Sequence, residues 1–252
     1  MTEMAKSSLL FRVIHANKIL PEVRKITEPK GSTAKTDSTS QDNLYGIKSR
    51  DVGWKDMGDM TLTCVDIGGS VLGDLMTLWK NGTKEVWEIE YAPVGSGRAI
   101  TFTGFISGIG HTHQDDGGAQ LIEVTVTPVS YFTVLTTGAA GLTTGFVVVA
   151  DDETHTLAPL VAASATNYNL EYTAYSSGTE NNNSDTVTVT PTAAVGTIYV
   201  NGTVVASAAA SGAITLNQTQ GDVTYISIVV SEANKASKTY MLRITMGTAA
   251  YA

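Results

Sequence analysis

Charge is scarce in this chain. Only 16% of its 252 residues are Asp, Glu, Lys or Arg, whereas the surface of a small soluble domain is normally about a quarter to a third charged. A surface so poor in charge suits a protein covered by its neighbours, or an all-β protein with Thr/Ser faces. Basic residues are fewer still, 16 against 24 acidic, for a net charge of −8. That balance excludes a nucleic-acid reader, which needs a basic footprint to displace counterions from phosphates. It does not exclude a conduit for DNA, because a wall of like charge releases what passes along it. Cys64 stands alone, so neither an internal disulfide framework nor a thiolate metal cluster is available, and it reads as a small buried apolar residue. No long hydrophobic run exists. The longest, 146–150, falls far short of the roughly 20 residues of a membrane span, and Met1–Ser8 holds no apolar core of signal-peptide length. The expectation is a chain made in a cytosol.

Catalytic signatures are missing too. The sequence has no Gly-x-Ser-x-Gly elbow, phosphate loop or His-Glu-x-x-His. His111-x-His113 with Asp115-Asp116 has ligand-type residues, but Asp115-Asp-Gly-Gly118 is a plain hairpin turn. Neither metal nor cofactor is expected, and the chain reads as a non-enzyme. His15 and His155 stand apart from any partner pattern.

Composition shifts near residues 136–160. Residues 1–140 carry 13 basic and 16 acidic residues and all three Trp (Trp54, Trp79, Trp87); residues 141–252 carry 3 and 8 and are dominated by Ala, Thr, Val, Ser, Asn and Gly. The Gly-rich join 136–145 reads as a flexible linker. The expected division is a first domain over 1–140, a linker over 141–158 and a second domain over 159–252.

Within the first domain, strands are expected at 8–16, 19–24, 60–67, 84–91, 99–107 and 121–128. Lys84–Tyr91 alternates strictly, with Trp87, Ile89 and Tyr91 on one face and Glu88 and Glu90 on the other. Leu72, Leu75, Met76 and Trp79 recur at helical spacing after a Ser70 cap, and Asn81-Gly82 stops the helix. That helix is expected to pack on the apolar side of the sheet. Residues 27–50 are polar and aperiodic, longer than an ordinary loop. In the second domain, strands are expected at 169–175, 185–191, 196–200, 203–206, 213–216, 224–231 and 238–246, with Asn201-Gly202 as a type I′ hairpin. Short strands punctuated by turns imply a sandwich. Tyr168, Tyr172 and Tyr175 read as core rather than as a sugar platform.

Asp56-Met-Gly-Asp-Met-Thr-Leu-Thr-Cys64, then Leu78-Trp-Lys-Asn-Gly82, Trp87-Glu-Ile-Glu-Tyr91 and Ile100-Thr-Phe-Thr-Gly-Phe-Ile106, resemble in order and spacing the tail tube proteins of long non-contractile-tailed bacteriophages. The resemblance covers roughly residues 1–135 and rests on the order of the pieces. Thr186-Val-Thr-Val-Thr-Pro-Thr-Ala193, Ile198-Tyr-Val-Asn-Gly-Thr-Val-Val-Ala-Ser207, Ile226-Ser-Ile-Val-Val230 and Ser237-Lys-Thr-Tyr-Met-Leu-Arg-Ile-Thr245 resemble a cadherin-like bacterial immunoglobulin-type sandwich, without the acidic clusters that bind calcium in true cadherins.

The resemblance implies a mainly β protein: a tail-tube β-barrel or sandwich with one flanking α-helix, followed by an immunoglobulin-like β-sandwich that decorates the exterior. It implies hexameric rings stacked into a tube within the virion tail, assembled in the host cytoplasm, through which DNA passes transiently and without sequence preference. Implied partners are further copies of the chain, a tape measure protein, and tail terminator and baseplate proteins; no membrane is involved, and the sandwich would touch host surface glycans weakly, by avidity. Glu88, Glu90 and Glu123, with Asp66 as a weaker candidate, are expected to face the lumen. Lys30, Lys35, Asp37, Asp42 and Tyr45 are expected to contact a neighbouring ring. Removal of residues beyond about 145 is expected to leave tube assembly intact. The competing reading is an adhesin or carbohydrate-binding module whose sandwich does the work.

Overall fold

The computed structural model describes residues 11–37, 50–66, 70–91, 95–112, 120–150, 169–175, 185–219 and 221–247. In chain order the elements are β1 (Phe11–His15), β2 (Lys18–Ile19), β3 (Val23–Thr27), β4 (Gly31–Asp37), β5 (Arg50–Met57), β6 (Met60–Val65), α1 (Ser70–Asn81), β7 (Lys84–Tyr91), β8 (Ala99–Thr112), β9 (Leu121–Pro128), β10 (Thr133–Leu135), β11 (Leu142–Ala150), β12 (Asn169–Tyr175), β13 (Thr186–Ala193), β14 (Thr197–Val200), β15 (Thr203–Val205), β16 (Ile214–Thr215), β17 (Val223–Ser231) and β18 (Lys238–Gly247). Among the described residues the protein is mainly β, with one short helix and several antiparallel sheets.

The chain divides into two compact units that do not follow sequence order. One comprises residues 22–85 and 102–132; the other comprises 1–21, 86–101 and 133–252. We call them the helix unit and the sandwich unit.

In the helix unit, strands pair antiparallel in the order β8-β9-β6-β3. Alternation dictates two faces. Met60, Leu62 and Cys64 of β6, Ile122, Val124 and Val126 of β9, and Phe102 and Ile106 of β8 point inward and are buried. From α1, Leu75 is fully buried and Leu72 and Met76 half-buried, but Trp79 is 42% exposed. The predicted apolar stripe therefore holds for three of its four residues. Gly82 ends the helix at φ 58°, in the left-handed region that glycine adopts freely. A register shift between Ile106 and Gly108 bulges β8. Past this break in alternation the strand continues to Thr112, five residues beyond its predicted end. The supposed aperiodic loop 27–50 is partly ordered pairing: β4 and β5 form a two-stranded antiparallel ribbon, shifted in register between Thr33 and Lys35. Most of its residues are polar, so hydrophobic periodicity cannot announce it.

In the sandwich unit, a three-stranded sheet, β11-β13-β16, faces a five-stranded sheet, β12-β18-β17-β14-β15. Phe146, Val148, Val187, Val189, Ile226, Ile228, Val230, Tyr240, Leu242 and Ile244 belong to the core between them. β12 runs parallel to β18; the other pairs are antiparallel. Asn201 and Gly202 adopt φ 48° and 82° between the paired Val200 and Thr203, the expected type I′ turn. A second such turn, Ala16-Asn17 at φ 46° and 58°, joins β1 to β2.

Two expectations about organisation do not hold. The supposed linker over 141–158 contains β11, which pairs with β13 from Leu142 to Ala150 and supplies core side chains. The join before it is stitched down: Ala139 N donates to Ala236 O at 2.8 Å, Ala236 N to Thr137 O at 2.8 Å, and Leu142 N to the Tyr240 hydroxyl at 3.0 Å. Gly97 approaches Gly138 so closely that a Cβ on Gly97 would lie 2.3 Å from the Gly138 nitrogen. Small residues here permit backbone-to-backbone packing rather than flexibility. Moreover, β1, β2 and the main part of β7 belong to the sandwich unit, where Ile14 and Ile19 pack with Val229 and Met241 against the outer face of the five-stranded sheet.

Candidate functional site: an open hydroxyl face and a buried acidic pair

The outward face of the helix-unit sheet is built from the residues that alternate with its core. Register places Thr27, Thr61, Thr125 and Gly108 in one row across four strands, and Lys25, Thr63, Glu123 and Gly110 in the next. All eight are exposed or half-buried. Thr127 extends the surface: its hydroxyl donates to Asp59 Oδ1 at 2.7 Å and lies 2.9 Å from Ser107 Oγ. β-Branched threonine is favoured on a pleated surface and leaves a hydroxyl toward solvent. The two rows carry one positive and one negative side chain, so they are neutral. At one end, among the described residues, β3 pairs with β6 alone in the sheet order. An edge strand of this kind presents unpaired N–H and C=O groups to another chain.

Of the acids expected to face a lumen, Glu123 is exposed on this open face. Asp66 is half-buried just beyond β6, where its carboxylate lies 3.8 Å from His111 Nδ1. Glu88 and Glu90 contradict the expectation. They are 8% and 0% exposed, against the sandwich of their own unit. Ser237 donates to Glu88 twice, N to Oε1 at 2.7 Å and Oγ to Oε2 at 2.8 Å. Glu90 Oε2 accepts from Thr239 Oγ1 at 2.7 Å, and its Oε1 from Gly95 N at 2.6 Å. Arg12, paired in register with Glu90, donates through Nη1 to Thr239 O at 2.7 Å and Thr239 Oγ1 at 2.6 Å. Alternation correctly placed the two glutamates on one face, but that face is covered. Burial, the largest influence, holds the Glu88 carboxyl above its ordinary 4.5, against the lowering effect of the Ser237 hydrogen bonds.

Arg12, Ser237 and Thr239 were not singled out by sequence. A signal lies in β17, where Ile228-Val-Val230 is apolar at consecutive positions, and the structure buries Ser227 and Val229 as well as the inward Ile226, Ile228 and Val230. A strand buried on both faces needs a third layer. Of the residues expected to touch a neighbouring ring, Lys30 is exposed between β3 and β4. Lys35 and Asp37 lie on β4 opposite Val52 and Arg50. Asp42 and Tyr45 lie outside the described residues, as do His113, Asp115 and Asp116. No cluster of metal-ligating side chains occurs among the described residues.

No protein-family model matches the sequence, and no curated protein matches it. Solved structures with some likeness include the tail of an empty gene transfer agent particle, refined with C6 symmetry: 12% identity and a TM-score of 0.40 over 50% of this chain and 93% of that one. A sheath/tube terminator of an extracellular contractile injection system gives 14% and 0.42 over 53% and 99%. The Dit protein of phage SPP1, described as a hub of the adsorption apparatus, gives 10% and 0.31 over 72% and 79%. With TM-scores this low, the likenesses carry no argument about function.

Proposed function

We propose that the chain is a structural subunit of a phage-like tail, forming hexameric rings that stack into a DNA-conducting tube. The observation that carries this reading is the hydroxyl face of β8-β9-β6-β3, whose two rows carry no net charge, combined with an edge at β3 that is free among the described residues. Its support from sequence is the resemblance over residues 1–135. In a ring, the β3 edge of each copy pairs with a strand of the next, and closure removes the unpaired groups of every copy at once. The hydroxyl rows then line the lumen. DNA carries one negative charge per roughly 1.7 Å of axis, so a basic lining would grip it. Thr27, Thr61, Thr63 and Thr125 offer no fixed charge, Lys25 and Glu123 cancel, and Gly108 and Gly110 keep the surface flush. The β4–β5 ribbon, with Lys30, Lys35, Asp37, Asp42 and Tyr45, reaches the adjacent ring, where a head-to-tail contact that does not close extends the tube. Tape measure, terminator and baseplate proteins are its partners in this reading.

Negative-stain electron microscopy and sedimentation of the purified chain test the assembly. Annular particles and tubes are the expected result. A monomer persisting at high protein concentration, with no rings in the presence of the other tail components, refutes it.

A further inference from the structure

We propose that Arg12, Glu88 and Glu90, with Ser237 and Thr239, form a proton-responsive clasp that fastens the turn between β17 and β18 onto β1 and β7, tighter in mild acid than in alkali. The clasp lies within one unit and is independent of ring assembly. Two carboxylates, from alternate residues of β7, lie on the same buried face. From β1 a single guanidinium, Arg12, reaches this face; its neighbour there, Ile14, is apolar. From β18 come the hydroxyls of Ser237 and Thr239, while the Lys238 ammonium turns to Gly95 O at 2.8 Å. Further along β18, Arg243 is half-buried on the side of Thr239 and Met241. From β17 the facing groups are Ser227, Val229 and Tyr225, none of them charged at neutral pH.

Among the described residues the cluster thus holds two acids to one cation in surroundings that penalise unpaired charge. Arg12 is tied to Glu90 through Thr239, whose hydroxyl accepts from the guanidinium and donates to the carboxylate. Glu88 is the acid left over. Its partners accommodate a proton without loss. Ser237 Oγ now donates to Glu88 Oε2 at 2.8 Å. With a proton on Oε2 the carboxyl donates across that contact and the serine hydroxyl rotates to accept, since a hydroxyl serves either role. Ser237 N still donates to Oε1. One proton therefore removes the excess buried charge and breaks no hydrogen bond. The upward displacement of the Glu88 pKa agrees with this.

Linkage fixes the sign. A carboxyl whose pKa is higher folded than unfolded binds more protons in the closed form over the interval between the two values. Closure is then weakened as pH rises through that interval, which begins at the ordinary 4.5. The stitches at Ala139–Ala236 and Gly95–Lys238 adjoin the clasp, so its opening would loosen the whole turn.

Hydrogen exchange of the full-length protein, read over backbone amides 236–241 and corrected for intrinsic rate, is the test. In the wild type the opening constant should rise from pH 4.5, where the interval begins, to pH 8.0. In Glu88→Gln, which keeps an acceptor for Ser237 N and a donor for Ser237 Oγ, the rise should vanish, with protection at pH 8.0 equal to that at pH 4.5. Glu123→Gln, on the open face, should keep the wild-type response. Ser237→Ala, which strips hydroxyl support from the ionised form, should enlarge the rise and guards against misfolding of the first variant. A flat wild-type response, or an undiminished rise in Glu88→Gln, overturns the proposal.

Discussion

Single side chains in this protein owe their properties to what covers them. Cys64 is fully buried on β6, and burial, reinforced by the nearby Asp66, pushes its thiol up to about 11. Only the thiolate attacks thiol reagents. The native protein should therefore resist a maleimide at pH 8 and react fully after denaturation; fast labelling of the native form would contradict the buried assignment. Gly97 makes a second case. At φ 79°, with the Gly138 backbone against it, it has no room for a methyl group. Gly97→Ala should lower stability by at least about 1–2 kcal/mol, the cost of the left-handed conformation alone for a residue with a Cβ. Thermal unfolding measures it, and an unchanged midpoint would disprove the close approach.

At the scale of elements, sequence reading succeeded where one face was buried and the other wet. β6 and β9 alternate buried and half-exposed residues and lie within two residues of their predicted bounds. The Asn201-Gly202 hairpin needed only local chemistry. Reading failed where that contrast was absent. β7 buries Trp87 and Ile89 on one face and Glu88 and Glu90 on the other, so its pattern looks amphipathic while its surroundings are not. The β4–β5 ribbon failed for the opposite reason, since its residues are polar along most of its length. Of the candidate site, Glu123 was legible; the threonine rows were visible as Thr-x-Thr pairs, but their register across four strands needed the sheet. Helix α1 offers a direct contrast within one element. Leu75→Ala should cost about 2–5 kcal/mol as a buried leucine truncation, whereas Trp79→Ala should change monomer stability by less than about 0.5 kcal/mol, as an exposed position does. Chemical denaturation distinguishes them, and equal costs would contradict the burial of one and exposure of the other.

For the whole molecule, the sandwich cannot be treated as a detachable ornament. β1, β2 and β7 share a compact unit with it, and its Ser237 and Thr239 satisfy the buried acids of β7. A chain ending at residue 145 would leave Glu88, Glu90 and Arg12 without these partners and uncover Ile14 and Ile19. The expectation that truncation spares assembly is therefore reversed: the truncated chain should aggregate or exchange its β1 and β7 amides freely, and production of a soluble, protected fragment would show that the two regions fold apart.

The central claim is that the hydroxyl rows become an inner wall. Thr63→Cys and Thr125→Cys place a thiol on that face, and labelling with a small and a polymer-linked maleimide before and after assembly reads its enclosure. The account predicts that both reagents modify the unassembled subunit and that assembly blocks the bulky one. Equal modification of assembled and unassembled protein by the bulky reagent would place the rows outside and contradict it.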